Sequence, residues 1–146
     1  MKTLKQKLGL KDQKKILALN IPEELKDTIK QFGLEIDSKA KKEKYDFILV
    51  FSYKAKEAEK LIFDAIKSVA DNSHFWFCYP KGTSKKYKSE INRDSSWKLF
   101  AVHELEPVSQ VAIDEDWSAL RFRRTEEIKK MTRKTASAKK RKERIE

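Results

Sequence analysis

Two short apolar runs separated by an amphipathic stretch constrain the possible fold more than any other feature of this sequence. Phe47–Phe51 and Phe75–Cys78 are apolar at every position. Between them, apolar residues recur at the i, i+3, i+4 and i+7 spacing of one buried helix face. These residues are Ala58, Leu61, Ile62, Ala65, Ile66 and Val69. Strands that are apolar on both faces and joined by a crossover helix are typical of a parallel sheet covered by helices, so Tyr45–Lys81 predicts a βαβ unit.

The segment before this unit predicts two more strands and a helix. Lys14–Asn20 contains a continuous apolar run and is expected to form a strand. Pro22 suits the first position of a helix, and Gly33 suits the position just after its end. Leu34–Ile36 is then expected to be a short strand at the edge of the sheet.

A loop and a helix are predicted after the central unit. Lys81–Glu90 is polar and basic and contains a glycine, which indicates a loop. Asn92 is a favourable N-cap residue for the helix that follows. The buried side of that helix is expected to carry Trp97, Phe100 and Ala101.

The last ordered elements are predicted to be a strand pair. Pro107 cannot continue a helix, and the strands Val108–Ile113 and Trp117–Arg123 follow it. The turn between them is too short for a crossover, so they are expected to pair as an antiparallel hairpin. The whole order predicts an α/β domain of three layers, with a mostly parallel sheet, helices on both faces and a C-terminal antiparallel hairpin. This layout resembles a trimmed class I methyltransferase or another Rossmann-like fold.

Length and charge bound the organisation of the chain. Its 146 residues fit one domain, and residues 121–146 carry +8 of the formal net charge of +11. We therefore expect residues 1–131 to form the single domain and Thr132–Glu146 to be a basic, flexible tail. No secretory leader or apolar run of membrane-spanning length is evident, so a cytoplasmic protein without membrane contact is expected.

Four stretches carry a second resemblance, to a family of short bacterial proteins of unknown function that are regarded as Rossmann-like single domains. The stretches read YDFILVF, YPKGTSK, NRDSSW and PVSQVAIDEDWSALRFR, and the similarity covers about Leu8 to Glu127. The resemblance implies a fold and a bacterial source, and it implies no activity.

A site for a dinucleotide or for S-adenosylmethionine is not evident. Both ligands need a glycine-rich turn after the first strand, because the backbone approaches the ligand closely there. Here Asn20 to Glu24 contains no glycine, and Glu23 and Glu24 would repel a phosphate. Glu35 or Asp37, near the end of the second strand, could take the place of the acidic residue that binds a ribose in such sites. One acidic residue at a strand end is weak evidence for a nucleotide site. No cofactor is predicted.

The most suggestive candidate site is the loop that leaves the second apolar run. In an open α/β sheet, ligands bind beyond the carboxyl ends of the strands, and a helix N-terminus nearby favours anions. The predicted anion-binding residues are Lys81, Gly82, Thr83, Ser84, Lys85, Asn92 and Arg93. The alternative for each of them is a solvated loop followed by an ordinary capped helix.

A possible pocket beside this site is predicted from Asn20, Tyr53, Tyr79, Asp114 and Trp117. Trp117 either stacks on a ligand or buries its ring against the sheet, and the second interpretation is favoured. Arg121 and Arg123 lie on one face of the return strand and are expected to pair with Asp114 or Glu115 across the hairpin.

No metal site or catalytic nucleophile is predicted. His74 and His103 are far apart in sequence, and no Cys, His and carboxylate cluster has ligand spacing. Cys78 lies inside an apolar run, where a buried thiol in a reducing compartment is expected. These observations argue against an enzyme without excluding one.

The leading hypothesis is therefore a non-catalytic binding or adaptor domain for a phosphorylated or carboxylate ligand or partner, in a monomer or weak dimer. One alternative is a degenerate or atypical methyltransferase-like transferase that uses a nucleotide cofactor. The other is nonspecific nucleic-acid binding through the basic tail, because a Lys/Arg run can track phosphates.

Overall fold

The computed structural model describes residues 3–41 and 43–128, and its centre is one six-stranded sheet. The strands are β1 (Lys15–Leu19), β2 (Glu35–Asp37), β3 (Tyr45–Phe51), β4 (Val69–Pro80), β5 (Leu105–Ala112) and β6 (Trp117–Arg124). The helices that lie wholly within the described residues are α1 (Leu4–Lys7), α2 (Lys26–Lys30), α3 (Ala55–Ile66) and α4 (Arg93–Ala101). A 3-10 turn (Glu23–Leu25) precedes α2, and residues 125–128 are also helical.

The strand order β2-β1-β3-β4-β6-β5 confirms the predicted fold class. β1 pairs in parallel with β2 and β3, and β3 pairs in parallel with β4 around the crossover helix α3. In that central pair Ile48 lies opposite Phe75, and Phe51 lies opposite Cys78. β6 runs antiparallel to both β4 and β5, so the predicted hairpin closes the sheet.

Each face of the sheet has its own apolar core, because successive side chains of a strand point to opposite faces. The first core lies between the sheet and helices α3 and α4, and Phe75, Phe77 and Phe100 are buried in it. The second core lies beneath α1 and α2, and Trp76 and Cys78 are buried there. The odd and even positions of β4 therefore serve different layers.

Three details differ from the sequence-based prediction. β4 begins at Val69 and not at Phe75, because its polar first half bulges against β3 and still pairs with it. Pro107 lies inside β5 and does not merely precede the strand; β5 is an edge strand, where the missing N–H is tolerated. Trp97 is 50% exposed, although Phe100 on the same helix is fully buried.

The start of the second helix also differs in detail. Pro22 has an extended backbone and stands before the 3-10 turn, so it caps the turn and is not its first residue. Gly33 has a φ of +73°, which allows it to end α2 as predicted.

Two predictions fall outside the described residues, namely the domain boundary at residue 131 and the basic tail Thr132–Glu146. Within residues 3–41 and 43–128, no helix is long and apolar enough to cross a membrane.

Candidate functional site

A polar cleft lies where β4, β5 and β6 meet the loop of residues 81–92 and the start of α4. It has a volume of about 640 Å³. Its lining residues are Tyr79, Pro80, Lys81, Gly82, Ser84, Tyr87, Lys88, Ser89, Glu90, Ile91, Asn92, Arg93, Gln110 and Ser118. This polar cleft stands at the carboxyl end of β4, which is the edge of the sheet where ligands are expected.

Two cations of the polar cleft are available for a ligand. The side chains of Lys81 and Arg93 make no hydrogen bond or ion pair to any residue that the structure describes. Lys88 adds a third positive charge, and the lining contains one carboxylate, Glu90, whose Oε1 accepts a hydrogen bond from the backbone N–H of Ala55. The lining is therefore net positive, as a site for an anion requires.

The floor of the polar cleft is a row of hydrogen-bonded side chains. Gln110 Nε2 donates to Ser118 Oγ at 3.0 Å and, more weakly, to the Tyr79 hydroxyl at 3.4 Å. Burial raises the pKa of Tyr79, while the nearby charge of Arg93 acts in the opposite direction. The floor thus offers neutral polar groups beneath two cationic side chains. Gln110 and Ser118 are not among the residues predicted from sequence, because they belong to strands that only the tertiary fold brings beside Tyr79.

The predicted anion-binding residues divide into two groups. Lys81, Gly82, Ser84, Asn92 and Arg93 line the polar cleft, whereas Thr83 and Lys85 are exposed and lie outside its lining.

Two of the lining residues are already used by the local structure. Ser84 Oγ donates to Asp116 Oδ1 at 2.8 Å and accepts from two backbone N–H groups of its own turn. Asn92 Oδ1 accepts from the backbone N–H of Ser95 in a capping box, so it caps α4 as predicted. Lys81 and Arg93 therefore remain the main candidates for direct contact with an anion.

A second crevice is expected outside the carboxyl ends of β1 and β3, because the connections from these strands diverge to opposite sides of the sheet. The two strand ends are tied together there. Asn20 has a φ of +61°, and its Nδ2 donates to Phe51 O at 2.9 Å and to Glu57 Oε1 at 3.1 Å. Ser52 Oγ donates to the same carboxylate oxygen at 2.8 Å. We call this region the switch-point crevice.

Aromatic rings fill the outer part of the switch-point crevice. The Tyr87 ring lies 5.2 Å from the Tyr53 ring and 5.1 Å from the Trp117 ring, measured between centroids. Trp117 is 2% exposed and also contacts Phe51 edge-on, so its ring is buried against the sheet as favoured above. The rings of Tyr53, Tyr87 and Trp117 thus form a packed aromatic layer, whereas Asn20 is exposed beside it. The possible pocket at Asn20, Tyr53, Tyr79, Asp114 and Trp117 stays a prediction.

The carboxylate of Glu24 fastens this layer. It accepts a hydrogen bond from the Tyr87 hydroxyl and another from Trp117 Nε1 at 3.3 Å. The ammonium nitrogen of Lys86 also lies 3.3 Å from the Glu24 carboxylate. Burial alone would raise the pKa of Glu24, but these hydrogen bonds outweigh it and hold the pKa at about 2. The sequence indicates Glu24 only as a negative charge that would repel a phosphate, because its partners Tyr87 and Trp117 are distant in the chain.

The remaining predicted pocket residues also have structural partners. Asp114 Oδ1 accepts from the backbone N–H groups of Asp116 and Trp117 and so closes the hairpin turn. The predicted pairing of the hairpin arginines with Asp114 or Glu115 is wrong. Arg123 instead donates to Asn72 Oδ1 at 2.9 Å, since β6 carries it to the far end of the sheet.

Asp37, one of the two residues considered for ribose binding, is engaged by neighbouring side chains. It is buried and accepts a hydrogen bond from the Tyr45 hydroxyl, and the ammonium groups of Lys41 and Lys15 lie 3.3 and 3.6 Å away. The Tyr45 hydrogen bond and the two lysines lower the pKa of Asp37 despite its burial. The carboxylate therefore links the end of β2 to the start of β3, two strands that lie on either side of β1.

The described part of the chain also contains no group of three or more Cys, His, Asp or Glu residues that is suitable for a metal ion. Cys78 is fully buried, and burial raises the pKa of its thiol, so it is a packed core residue as expected.

Comparison with known proteins shows which fold this is. No protein-family model and no curated protein matches the chain. Solved structures do match: N-methyltransferase NodS from Bradyrhizobium japonicum WM9 has a TM-score of 0.54 at 14% identity, over 82% of this chain and 91% of NodS. A putative type 11 methyltransferase from Sulfolobus solfataricus has a TM-score of 0.54 at 12% identity, over 83% and 89% of the two chains. The chain has a methyltransferase-like fold.

A third neighbour of this methyltransferase-like fold is magnesium protoporphyrin IX methyltransferase from Synechocystis PCC 6803, with a TM-score of 0.53 at 10% identity, over 77% of this chain and 74% of the neighbour. These neighbours support the methyltransferase-like alternative better than the leading hypothesis of a non-catalytic binding domain. At these identities the likeness establishes the fold alone. The resemblance to short bacterial proteins of unknown function stays a prediction.

The switch-point crevice does not fit the cofactor that this fold implies. The turn from Asn20 to Glu24 lacks the glycines that let the backbone approach S-adenosylmethionine. The space beyond the turn holds the Tyr87 ring and its hydrogen bond to Glu24. A cofactor in this place would have to displace a packed aromatic layer.

Proposed function

We propose that this chain is a degenerate methyltransferase-like domain that keeps the scaffold and binds a small anionic ligand in the polar cleft. The observation that carries the proposal is the pair Lys81 and Arg93, two cations without carboxylate partners among the described residues, above a hydrogen-bonded polar floor. A phosphate or carboxylate placed between them would receive charge-assisted hydrogen bonds. The packed aromatic layer of the switch-point crevice supports the same proposal, because the polar cleft at the same edge of the sheet is open to a ligand.

Anionic ligands are expected to raise the melting temperature of the protein through Lys81 and Arg93. Inorganic pyrophosphate, ADP and citrate at about 100 times the Kd would add about 2.7 kcal/mol, which corresponds to roughly 5–10 °C for a domain of this size. The double variant Lys81→Ala/Arg93→Ala is expected to lose this shift. Thermal unfolding with and without each compound measures it.

The control variant is Lys85→Ala/Lys98→Ala, which also removes two exposed cations but from outside the lining of the polar cleft. It is expected to keep the full shift. The proposal fails if no compound shifts the wild type, or if both double variants reduce the shift equally.

A working methyltransferase is the second candidate, and the methyltransferase neighbours favour it. The packed crevice predicts the opposite result, namely no binding of S-adenosylmethionine or S-adenosylhomocysteine to the wild type. Isothermal titration calorimetry with both compounds decides between the candidates. Saturable binding of either one would overturn the proposed loss of the cofactor.

Nonspecific nucleic-acid binding through Thr132–Glu146 stays a prediction, because these residues lie outside the described part of the chain.

A further inference from the structure

A second basic cluster lies on the other face of the sheet, far from the polar cleft. It consists of His74 on β4 and of Arg121 and Arg123 on β6. Arg121 lies opposite Trp76, which belongs to the core beneath α1 and α2, so the cluster faces away from α4. His74 precedes Pro80 by six residues, a distance of about 20 Å along the strand. The basic cluster and the polar cleft are therefore separate sites.

Arg121 is a half-buried cation whose side chain makes no ion pair within 4.0 Å to any residue that the structure describes. Its Nε is buried and has no hydrogen-bond partner in the part of the chain that the structure describes. Burial and the charge of Arg123 lower the pKa of Arg121, and the opposing effect of Glu127 does not restore it. A buried donor that is not satisfied by the protein is costly, and an anion bound at the Arg121 guanidinium would offset part of that cost by its charge.

The two other members of the basic cluster are held in fixed positions. Arg123 donates to Asn72 Oδ1 at 2.9 Å and lies 3.5 Å from Glu127. The His74 ring stacks on Phe47 at 5.8 Å between centroids, and it lies so close to Gly9 that a Cβ there would come within 2.7 Å of His74 Nε2. Such preorganised donors bind a ligand with little loss of conformational entropy.

The charges around His74 show that the cluster is electropositive. The pKa of His74 is lowered to about 4, first by burial and then by the positive charges of Arg121, Arg123 and Lys11. Among the main contributors, the negative charge of Asp46 alone acts in the opposite direction. The imidazole is therefore neutral at pH 7 and can donate one N–H beside the two guanidinium groups. In the strand register of β5 and β6, the acidic residue Glu106 stands opposite Arg123, whereas the neutral residue Ser109 stands opposite Arg121.

We infer that Arg121, Arg123 and His74 form a second anion-binding site, which takes a small phosphate-type oxyanion on the sheet face beneath α1. The two arginines are neighbours on one face of β6, about 7 Å apart along the strand, which suits an oxyanion contacted by both. Arg121 supplies a guanidinium fork that makes no hydrogen bond to the described residues 3–41 and 43–128. This site does not depend on the proposed function of the polar cleft.

The chain has two histidines, so the imidazole resonances report on this site directly. Inorganic pyrophosphate titrated at pH 7, with ionic strength held constant by potassium chloride, is expected to shift the His74 Hε1 resonance saturably. The His103 resonance, on the opposite face beyond α4, is expected to stay in place. The Lys81→Ala/Arg93→Ala variant is expected to give the same His74 response, which separates this site from the polar cleft.

Arg121→Gln is expected to weaken the His74 response at least 10-fold. The control is Arg124→Gln, because Arg124 is bound to Asp71 at 2.6 Å and lies outside the cluster. If Arg121→Gln does not fold, Arg121→Lys serves instead; it keeps the charge, loses the fork and is expected to bind about 10-fold more weakly. A His74 resonance that does not move in the wild type, or that moves equally in the Arg121 variant, would overturn the inference.

Discussion

Replacing Phe100 with alanine is expected to lower the free energy of unfolding by about 3–5 kcal/mol, the usual cost of removing a buried aromatic ring. Phe100 is fully buried, and its ring stacks on Phe122 with 3.7 Å between centroids. It also contacts the rings of Phe75 and Phe77 on β4. Denaturant unfolding followed by near-ultraviolet circular dichroism measures the loss.

Phe63→Ala is the matched control, because Phe63 is an aromatic residue of the same core-covering layer that is 52% exposed. Its replacement is expected to change the free energy of unfolding by no more than about 0.5 kcal/mol. Equal losses in the two variants would show that α4 is not packed on the sheet as described. Because α4 carries Arg93 at its first turn, such a result would also remove the polar cleft.

Replacing Glu24 with glutamine is expected to lower the free energy of unfolding by about 1.5–3 kcal/mol at pH 7, the usual contribution of hydrogen bonds to a charged group. The Glu24 carboxylate accepts hydrogen bonds from Tyr87 and Trp117 and pairs with the ammonium group of Lys86. The Glu24 side chain is 28% exposed. Faster amide hydrogen exchange in residues 81–92 is expected as well, because Glu24 holds this loop over the switch-point crevice.

The effect of Glu24 should depend on pH in a defined direction. Its pKa falls from an ordinary value of 4.5 to about 2 in the folded protein. The stabilisation is therefore complete above about pH 4.5 and is lost as the pH falls towards 2. The difference between the wild type and Glu24→Gln should shrink over the same interval.

Glu23→Gln provides the comparison, since the neighbouring Glu23 side chain is 86% exposed and pairs only with Lys26 among the described residues. A pair of this kind contributes little, so a change below about 0.5 kcal/mol is expected at every pH. A Glu23 variant as unstable as the Glu24 variant would contradict the proposed role of Glu24.

The sheet could be predicted from sequence because its signals are local. The apolar runs at Phe47–Phe51 and Phe75–Cys78 and the helical spacing between them require only neighbouring residues, and the structure confirms the parallel pair that they predict. The bounds of β4 and β5 were predicted less well. Pro107 and the polar start of β4 are unfavourable in a strand by local pattern, and they belong to strands here because of their pairing with the neighbouring strand. Periodicity within one segment does not contain that information.

The sites were less predictable, because they are assembled from distant segments. Lys81 and Arg93 were identified by their place after a strand and at a helix start, and they do line one cleft. The contact between Glu24 and Tyr87 joins residues that are 63 positions apart, and no local pattern indicates it. The same holds for His74 and Arg121, which meet only through the pairing of β4 with β6.

The borders of the sheet limit how this protein can associate. On one side β5 is interrupted by Pro107, which has no N–H to offer, and its pairing is irregular next to that residue. On the other side β2 has only three residues. Edges that are short or broken are poor templates for a strand from another molecule, so they protect the protein against edge-to-edge aggregation. Self-association of the folded domain is therefore expected to use its helical faces.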